Sequence, residues 1–210
     1  SHMNAMLREP ATPDATRMRP ATPDATRSQP GSPLDDRVLR GVLGCFPTGV
    51  TVVIAMTGQG PVGITANSFT SVSLDPPLVL WCIATASRRR SLIQAATAFT
   101  VNILSEDQEE LTRALASHSH EPFTRVRIRV GGTGAPVLLD ALAFVECRVV
   151  GELATGDHLV FLGEIVDGGI LRDDRPLVFF RSAYTKLLYG VNRQRSTAED
   201  AARSGSEDWA

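Results

Sequence analysis

Apolar and polar positions change period several times along the chain. From Asp35 to Cys45 (DDRVLRGVLGC), Val38, Leu39, Val42 and Leu43 fall at helical spacing and predict a helix. Val50–Thr57 is a β-branched run with Val50, Val52, Ile54 and Met56 on one face of a strand. Gly58-Gln59-Gly60-Pro61 punctuates it as a turn. Leu78–Ala84 (LVLWCIA) is continuously apolar, as a buried strand would be. Ser87–Thr97 reads as a helix, Ala98–Leu104 (AFTVNIL) as a strand and Ser105–Ala116 as a second helix. Leu142–Leu153, His158–Val166 and Leu177–Phe180 read as strands, the first two joined by a turn at Ala154–Asp157. About six or seven strands with few helices predict a mainly β fold with flanking helices, closed or partly closed as a barrel. Strands and helices do not alternate regularly, which argues against a doubly wound parallel sheet.

One stretch fits neither period. Residues 63–77, GITANSFTSVSLDPP, have the length of a strand pair, yet Thr65, Asn67, Ser68, Thr70, Ser71 and Ser73 are polar and uncharged. A core strand alternates more cleanly, and a solvent loop carries charge. Such a stretch offers many small hydrogen-bonding groups without formal charge.

The two later helix starts also differ. Ser105 can cap its helix, Gln108 stands three residues on, and Glu106, Asp107, Glu109 and Glu110 fill the first turn. At Ser87 the first turn holds Arg88, Arg89 and Arg90 instead, and three cations at the positive end of a helix dipole are locally unfavourable. One reading is an anion site, with N–H groups, a serine hydroxyl and arginines converging on a phosphate. The other is that the arginines splay into water or pair with acids elsewhere. A P-loop and a GxGxxG fingerprint are both absent. A neutral polar stretch and a phosphate candidate, one strand apart, suit a flat, amide-rich ring with a phosphate tail, and a flavin has both parts.

Composition narrows the class. The chain has 210 residues, 43% hydrophobic and 21% charged, the size and balance of one soluble domain. A net charge of −2 argues against broad nucleic-acid binding. No apolar run approaches the roughly 18 residues of a membrane span, and no secretory h-region is visible. Cys45, Cys82 and Cys147 are odd in number and widely spaced, which fits a reduced, cytoplasmic protein better than a disulfide scaffold. His118-Ser119-His120 is the only close histidine pair, and no metal site is expected.

Three regions are expected. Residues 1–31 open with Ser1-His2-Met3, which reads as a remnant of tag cleavage, and carry PATPDATR twice; their composition predicts disorder. Residues 32–190 form the folded domain, and residues 191–210 a polar tail.

Five blocks then stand in order: FPTGVTVV (46–53), GITANSFTSVSLDPPLVL (63–80), FTVNIL (99–104), GDH (156–158) and PLVFFRSAYTKL (176–187). Together they resemble the short-chain flavin reductases, the reductase partners of two-component flavin-dependent monooxygenases. The resemblance covers about residues 35–188. It implies a split β-barrel of the FMN-binding type that forms a homodimer, with flavin near the subunit interface. It implies hydride transfer from NADH or NADPH to FAD or FMN, and release of reduced flavin to a monooxygenase. Thr65, Ala66, Asn67, Ser68 and Phe69 would lie along the flavin ring, with Thr48 and Ser71 of the same blocks in the binding set. Cys82, Ser87, Arg88 and Arg89 would run to the phosphates. Phe123 would flank the adenine of FAD, His158 would position the nicotinamide, and Tyr184 would stand near it. The arginine-rich phosphate end favours FAD over FMN. The cofactors carry such a reaction, so no triad or carboxylate pair is needed. A non-catalytic flavin or haem carrier on the same barrel is the rival reading. An oxidase of a phosphorylated vitamin is a third. A reader of a nicotinamide 2′-phosphate could be Arg125, Arg127 and Arg129.

Overall fold

The computed structural model describes residues 35–116, 123–124 and 126–187. The predicted disordered N-terminal segment, the C-terminal tail, the His118/His120 pair and Arg125 lie outside the described residues. The chain divides into two units, Ser1–Val42 and Leu43–Ala210. In the first, Asp35 accepts a hydrogen bond from the Arg37 N–H at 2.9 Å and so caps α1 (Asp36–Leu43).

The second unit is mainly β. In chain order it runs β1 (Thr48–Gly49), β2 (Thr51–Thr57), β3 (Gly60–Ala66), β4 (Thr70–Leu74), β5 (Pro77–Ala84), α2 (Arg90–Gln94), β6 (Ala98–Ile103) and α3 (Glu109–Ala116). It continues with β7 (Ile128–Val130), β8 (Pro136–Leu138), β9 (Ala143–Thr155), β10 (His158–Ile170), β11 (Leu177–Phe180) and β12 (Ala183–Lys186). The main sheet is antiparallel with the order β3-β2-β6-β9-β10-β5-β4. A small sheet, β1-β11-β12, and the hairpin β7-β8 accompany it.

That order decides what the polar stretch is. Residues 63–77 are not a strand pair: β3 and β4 lie on opposite edges of the main sheet. Three residues, 67–69, join them, and so short a link spans at most roughly 14 Å. Seven strands laid flat would separate the edges by roughly 29 Å. The sheet is therefore rolled, and both of its edges come to the Asn67–Phe69 link. No ladder joins β3 to β4 among the described residues.

Rolling gives the sheet an inner and an outer core. The inner one holds Val53, Val79, Trp81, Ile83, Phe99, Cys147, Leu159 and Phe161. Trp81 stacks on Phe161 at 4.8 Å and meets Phe99 edge-on at 5.7 Å. The outer core holds Val50, Val52, Ile54, Leu104, Leu111, Leu115, Leu138 and Leu177, and packs α3, β8 and β11 against β2. The predicted face of β2 is present in Val50, Val52 and Ile54, but Val53 and Ala55 are buried on the opposite side, and Met56 is exposed.

Both later helices are shorter than their sequence pattern. Instead of Ser87–Thr97, α2 covers Arg90–Gln94. The Ser87 hydroxyl accepts from the Arg89 N–H at 3.3 Å, a local turn that competes with helix. At the far end the Thr97 carbonyl is taken by the Val149 N–H at 2.9 Å. Instead of Ser105–Ala116, α3 covers Glu109–Ala116. Ser105 is drawn into a bridge with Pro176, and the Glu106 N–H is bound by the Arg175 carbonyl at 2.8 Å. Half of the expected capping box survives, since Gln108 Oε1 accepts from the Ser105 N–H at 3.0 Å. Twelve strands, not six or seven, are present among the described residues; β1, β7, β8 and β12 have two to four residues each.

A buried polar seam anchors the β7-β8 hairpin. Thr100, Asn102 and Glu146 are all fully buried, and Thr100 stands opposite Glu146 in the β6-β9 ladder. Asn102 Nδ2 donates to the Val52 carbonyl at 3.1 Å, and Asn102 Oδ1 accepts from the Leu138 N–H at 2.8 Å. The Thr100 hydroxyl donates to the Pro136 carbonyl. The Glu146 carboxylate accepts from the Gly132 N–H at 3.1 Å and from the N–H and hydroxyl of Thr133. A Cβ on Gly131 would lie 2.5 Å from both Glu146 oxygens, so only glycine lets the loop close on the carboxylate. Burial, and then the neighbouring Glu146 carboxylate, push the Cys147 thiol up to about 12, which leaves it unreactive.

Candidate functional site

The sequence of β3 puts alternate residues on the two cores. Ile64 and Ala66 face inward, while Gly63 and Thr65 face the α3 side. Ala66 is fixed by the hydroxyl of its partner Thr51, which donates to the Ala66 carbonyl at 2.7 Å. Gly63 has no room for a side chain. A Cβ there would lie 2.5 Å from Phe123 Cζ and 3.3 Å from Leu115 Cδ2. Phe123 and the end of α3 therefore lie flat on β3, and Phe123 is part of the packing around the outer core.

Beyond that contact a cleft of about 220 Å³ opens, lined by Val50, Thr65, Asn67, Phe179 and Tyr184. The Phe179 and Tyr184 rings meet edge-to-face at 5.5 Å and 64°, forming one wall across β11 and β12. None of the five residues is charged. Thr65 Oγ1 is buried and has no hydrogen-bond partner among the described residues. Thr48 Oγ1 is in the same condition, on the residue paired with Phe179. A buried hydroxyl left unpaired costs roughly 1–3 kcal/mol, so two of them beside one cleft are an observation in need of a ligand.

The aromatic wall rests on a strained turn. Arg181 and Ser182 join β11 to β12 with φ of 48° and 62°. A two-residue hairpin with both φ positive normally takes Asn-Gly. Here Arg and Ser hold it, the Arg181 N–H bound to the Gly44 carbonyl at 2.8 Å and its guanidinium 5.2 Å from the Phe180 ring centre. Strain of this kind concentrates at functional sites.

The remaining candidates fall into two groups. Ser68 does not point its hydroxyl into open space: Oγ accepts from the Cys82 N–H at 2.9 Å and donates to the Cys82 carbonyl at 3.3 Å. It thus continues the β4-β5 ladder past its last backbone pair, Thr70 with Leu80. Cys82 is half-buried, Phe69 packs on the inner core, and Ser71 is exposed on β4 opposite Val79. The second group stands at the exit of β5. Thr85 donates from N–H and hydroxyl to the Asp157 carbonyl, at 2.8 and 3.0 Å, which ties the β9-β10 turn to the loop carrying Ser87, Arg88 and Arg89. His158 opens β10 opposite Ala84, half-buried, with Nδ1 2.7 Å from Asp157 Oδ1. Arg88 is exposed. Arg89 is half-buried, and its Nη1 donates to the Leu115 carbonyl near the end of α3. With α2 only five residues long, the dipole argument for an anion there loses most of its force.

Of the arginines offered as a 2′-phosphate reader, Arg127 is engaged by Asp140 and Arg129 lies 4.9 Å from the Phe144 ring centre. The Arg127 bond also holds the Asp140 carboxyl below its ordinary range. Two cleft residues were not among the sequence candidates, Val50 and Phe179. Both sit inside the quoted blocks FPTGVTVV and PLVFFRSAYTKL, but apolar residues there read as core.

Comparison with known proteins adds an independent line. Residues 43–188 match the family model described as flavin reductase like domain. The chain is 42% identical over 153 residues to FMN reductase (NADH) SmoA of Agrobacterium fabrum, covering 73% of this chain and 87% of that one. It is 43% identical over 132 residues to a longer Rhizobium meliloti protein named "Probable flavin reductase", of which it spans 42%, with 62% of this chain covered. Among solved structures, NADH:FAD oxidoreductase SgcE6 of Streptomyces globisporus, in complex with NAD and FAD fragments, superimposes with a TM-score of 0.70 at 38% identity. That match covers 75% of this chain and 96% of the other.

Proposed function

The chain belongs to the flavin reductase like domain family, and on that premise we propose that it reduces FAD or FMN with NADH and supplies the reduced flavin to a partner monooxygenase. The observation that carries the reading to this chain's own residues is the partnerless Thr65 hydroxyl in an uncharged cleft with an aromatic wall. The heteroatom edge of a flavin ring asks for neutral donors and acceptors, and Thr65, Thr48 and Asn67 supply them. Val50, Phe179 and Tyr184 supply apolar and aromatic surface for the ring faces. When bound, the flavin accepts hydride from the nicotinamide, and the chemistry belongs to the two cofactors. The protein's part is to hold the rings together and keep water from between them, a proximity effect worth several kcal/mol. His158, held by Asp157, orients the nicotinamide as a positioning residue. Ser87 and Arg88 at the exit of β5 offer a hydroxyl and an exposed cation to the phosphates, and the larger pyrophosphate of FAD suits them better than FMN.

The split-barrel homodimer is part of this proposal. A cleft of about 220 Å³ is smaller than the usual ~300–1,000 Å³ of a complete ligand site. On the outer face of the sheet, Leu78, Leu80 and Cys82 of β5 and Val160 and Leu162 of β10 are half-buried and belong to neither core. Leu153, paired with Val160, is largely exposed. A second copy covering this apolar face would enlarge the site. Sedimentation should show a dimer, and Leu162→Lys should yield monomers with reduced turnover; a monomeric wild-type protein overturns the assembly.

No described helix is long and apolar enough to cross a membrane. A cytoplasmic setting is part of the proposal and rests on the cysteines, none of which forms a disulfide. The deciding experiment is steady-state turnover with each combination of FAD or FMN and NADH or NADPH. Flavin-dependent oxidation of NADH is expected. Absence of oxidation with saturating flavin overturns the reading. The carrier alternative is not favoured, since relatives matched over most of this chain are named as reductases.

A further inference from the structure

We propose that Arg89 is a positioning residue for the cleft, acting through the end of α3, and not a reader of the flavin phosphate. The proposal rests on the reading that the cleft takes a flavin ring.

Three consecutive arginines leave β5, and the structure treats them differently. Arg88 is exposed, and among the described residues no hydrogen bond or ion pair holds it. Arg89 turns inward, and its Nη1 donates to the backbone carbonyl of Leu115, 26 residues away. Leu115 lies in the last turn of α3, where backbone carbonyls lack helical partners and the dipole favours a cation. One Arg89 contact meets both demands. It fixes the α3 end where the chain leaves the helix.

What α3 holds in turn is β3. Leu115 is buried, and with Phe123 it fills the space that a Gly63 side chain would need. Among the described residues β3 is an edge strand, bonded by its ladder to β2 alone. Packing from α3 is therefore its second restraint. Two residues beyond Gly63, on the same face, Thr65 presents its partnerless hydroxyl to the cleft. Arg89, Leu115, Gly63 and Thr65 form a short mechanical path from the loop to the site. Loosening its first member shifts the ring-binding edge and leaves any phosphate contact untouched.

Riboflavin and FMN share a ring and differ by one phosphate, so the pair separates the two roles. Steady-state KM and kcat would be measured with both acceptors for the wild type, Arg89→Ala and Arg89→Lys. For Arg89→Ala, KM should rise about fivefold for riboflavin and for FMN alike, their ratio staying within twofold of wild type. Arg89→Lys should recover most of the loss for both, because an ammonium can still donate to the Leu115 carbonyl at the helix end. A purely global loss of folded protein would lower kcat in proportion and leave KM unmoved, which counts against the proposal. A rise confined to FMN makes Arg89 a phosphate reader and overturns it, as does an unchanged KM for both acceptors. Should Arg89→Ala not fold, Arg89→Lys decides: a small parallel rise supports positioning, and a rise for FMN alone or no rise overturns it. A wild type that reduces neither acceptor is the distinct failure of the flavin reading itself, visible before any variant is made, and this proposal falls with it.

Discussion

Two polar regions of this molecule, one under the β7-β8 hairpin and one at the cleft, are satisfied to opposite degrees. Under the β7-β8 hairpin, Thr100, Asn102 and Glu146 are fully buried, and each has its hydrogen bonds within the protein. At the cleft, Thr65 has a buried hydroxyl with no partner among the described residues, and Thr48, paired in the ladder with the cleft residue Phe179, has another. The residue types alone do not distinguish the two regions. The difference lies in where the bonds go, and it separates polar groups that hold the fold from polar groups that await a ligand. Two further orphans keep the distinction from being automatic. Trp81 Nε1 lies inside an aromatic cluster, and Glu106 Oε2 belongs to a carboxylate whose other oxygen is 3.0 Å from Arg175. Neither lines the cleft.

The comparison breaks first at Glu146. Glu146→Ala strips the acceptor from two backbone N–H groups and the Thr133 hydroxyl, and leaves a void beneath the loop. The expected loss is about 3 kcal/mol, from unpaired buried donors. Urea unfolding followed by Trp fluorescence measures it, Trp81 being a buried reporter. A loss under about 1 kcal/mol would mean the seam does not anchor the hairpin.

At Thr65 the same logic runs in reverse. Thr65→Val keeps the shape and removes a hydroxyl that no described residue satisfies. Stability should hold or rise by up to about 1 kcal/mol, while the apparent KM for flavin rises about fivefold, roughly 1 kcal/mol of binding. If stability falls and KM stays, the hydroxyl is structural and the contrast between the two regions fails.

Much of the frame was legible from local pattern. The β9-β10 hairpin follows from two apolar runs around Gly156-Asp157, and Gly156 has the positive φ, 52°, that such a turn asks of a glycine. LVLWCIA forms β5, but only Val79, Trp81 and Ile83 are buried, and the other face, read as buried from its apolar run, is half-buried. The neutral stretch from Thr65 to Ser73 was legible as unusual, but not as two sheet edges, because rolling is set by strands distant in sequence. Helix lengths were misjudged where tertiary bonds took the capping groups, at Ser105 and at Thr97. The Glu146 seam was silent, since its loop lies 13 and 14 residues before the carboxylate and GGTG reads only as a turn. Phe179 was indistinguishable from core until its ring met Tyr184 across the hairpin.

The smallest expected effect lies in the turn that supports this aromatic wall. Ser182 has φ of 62°, a conformation that costs a residue with a Cβ about 1 kcal/mol. Glycine would relieve that cost but is freer in the unfolded chain, so Ser182→Gly should stabilise by only about 0.5 kcal/mol. A rise in Tm of a few degrees, with Phe179 and Tyr184 undisturbed, would place the strain in the backbone. A fall would mean that the serine side chain holds the turn in a way its backbone angle does not reveal. The sharper outcome is a rise in stability together with a higher KM for flavin. The hairpin would then be held under strain to keep the wall in place, and the unsatisfied side of the molecule would be so in its backbone as well as in its hydroxyls.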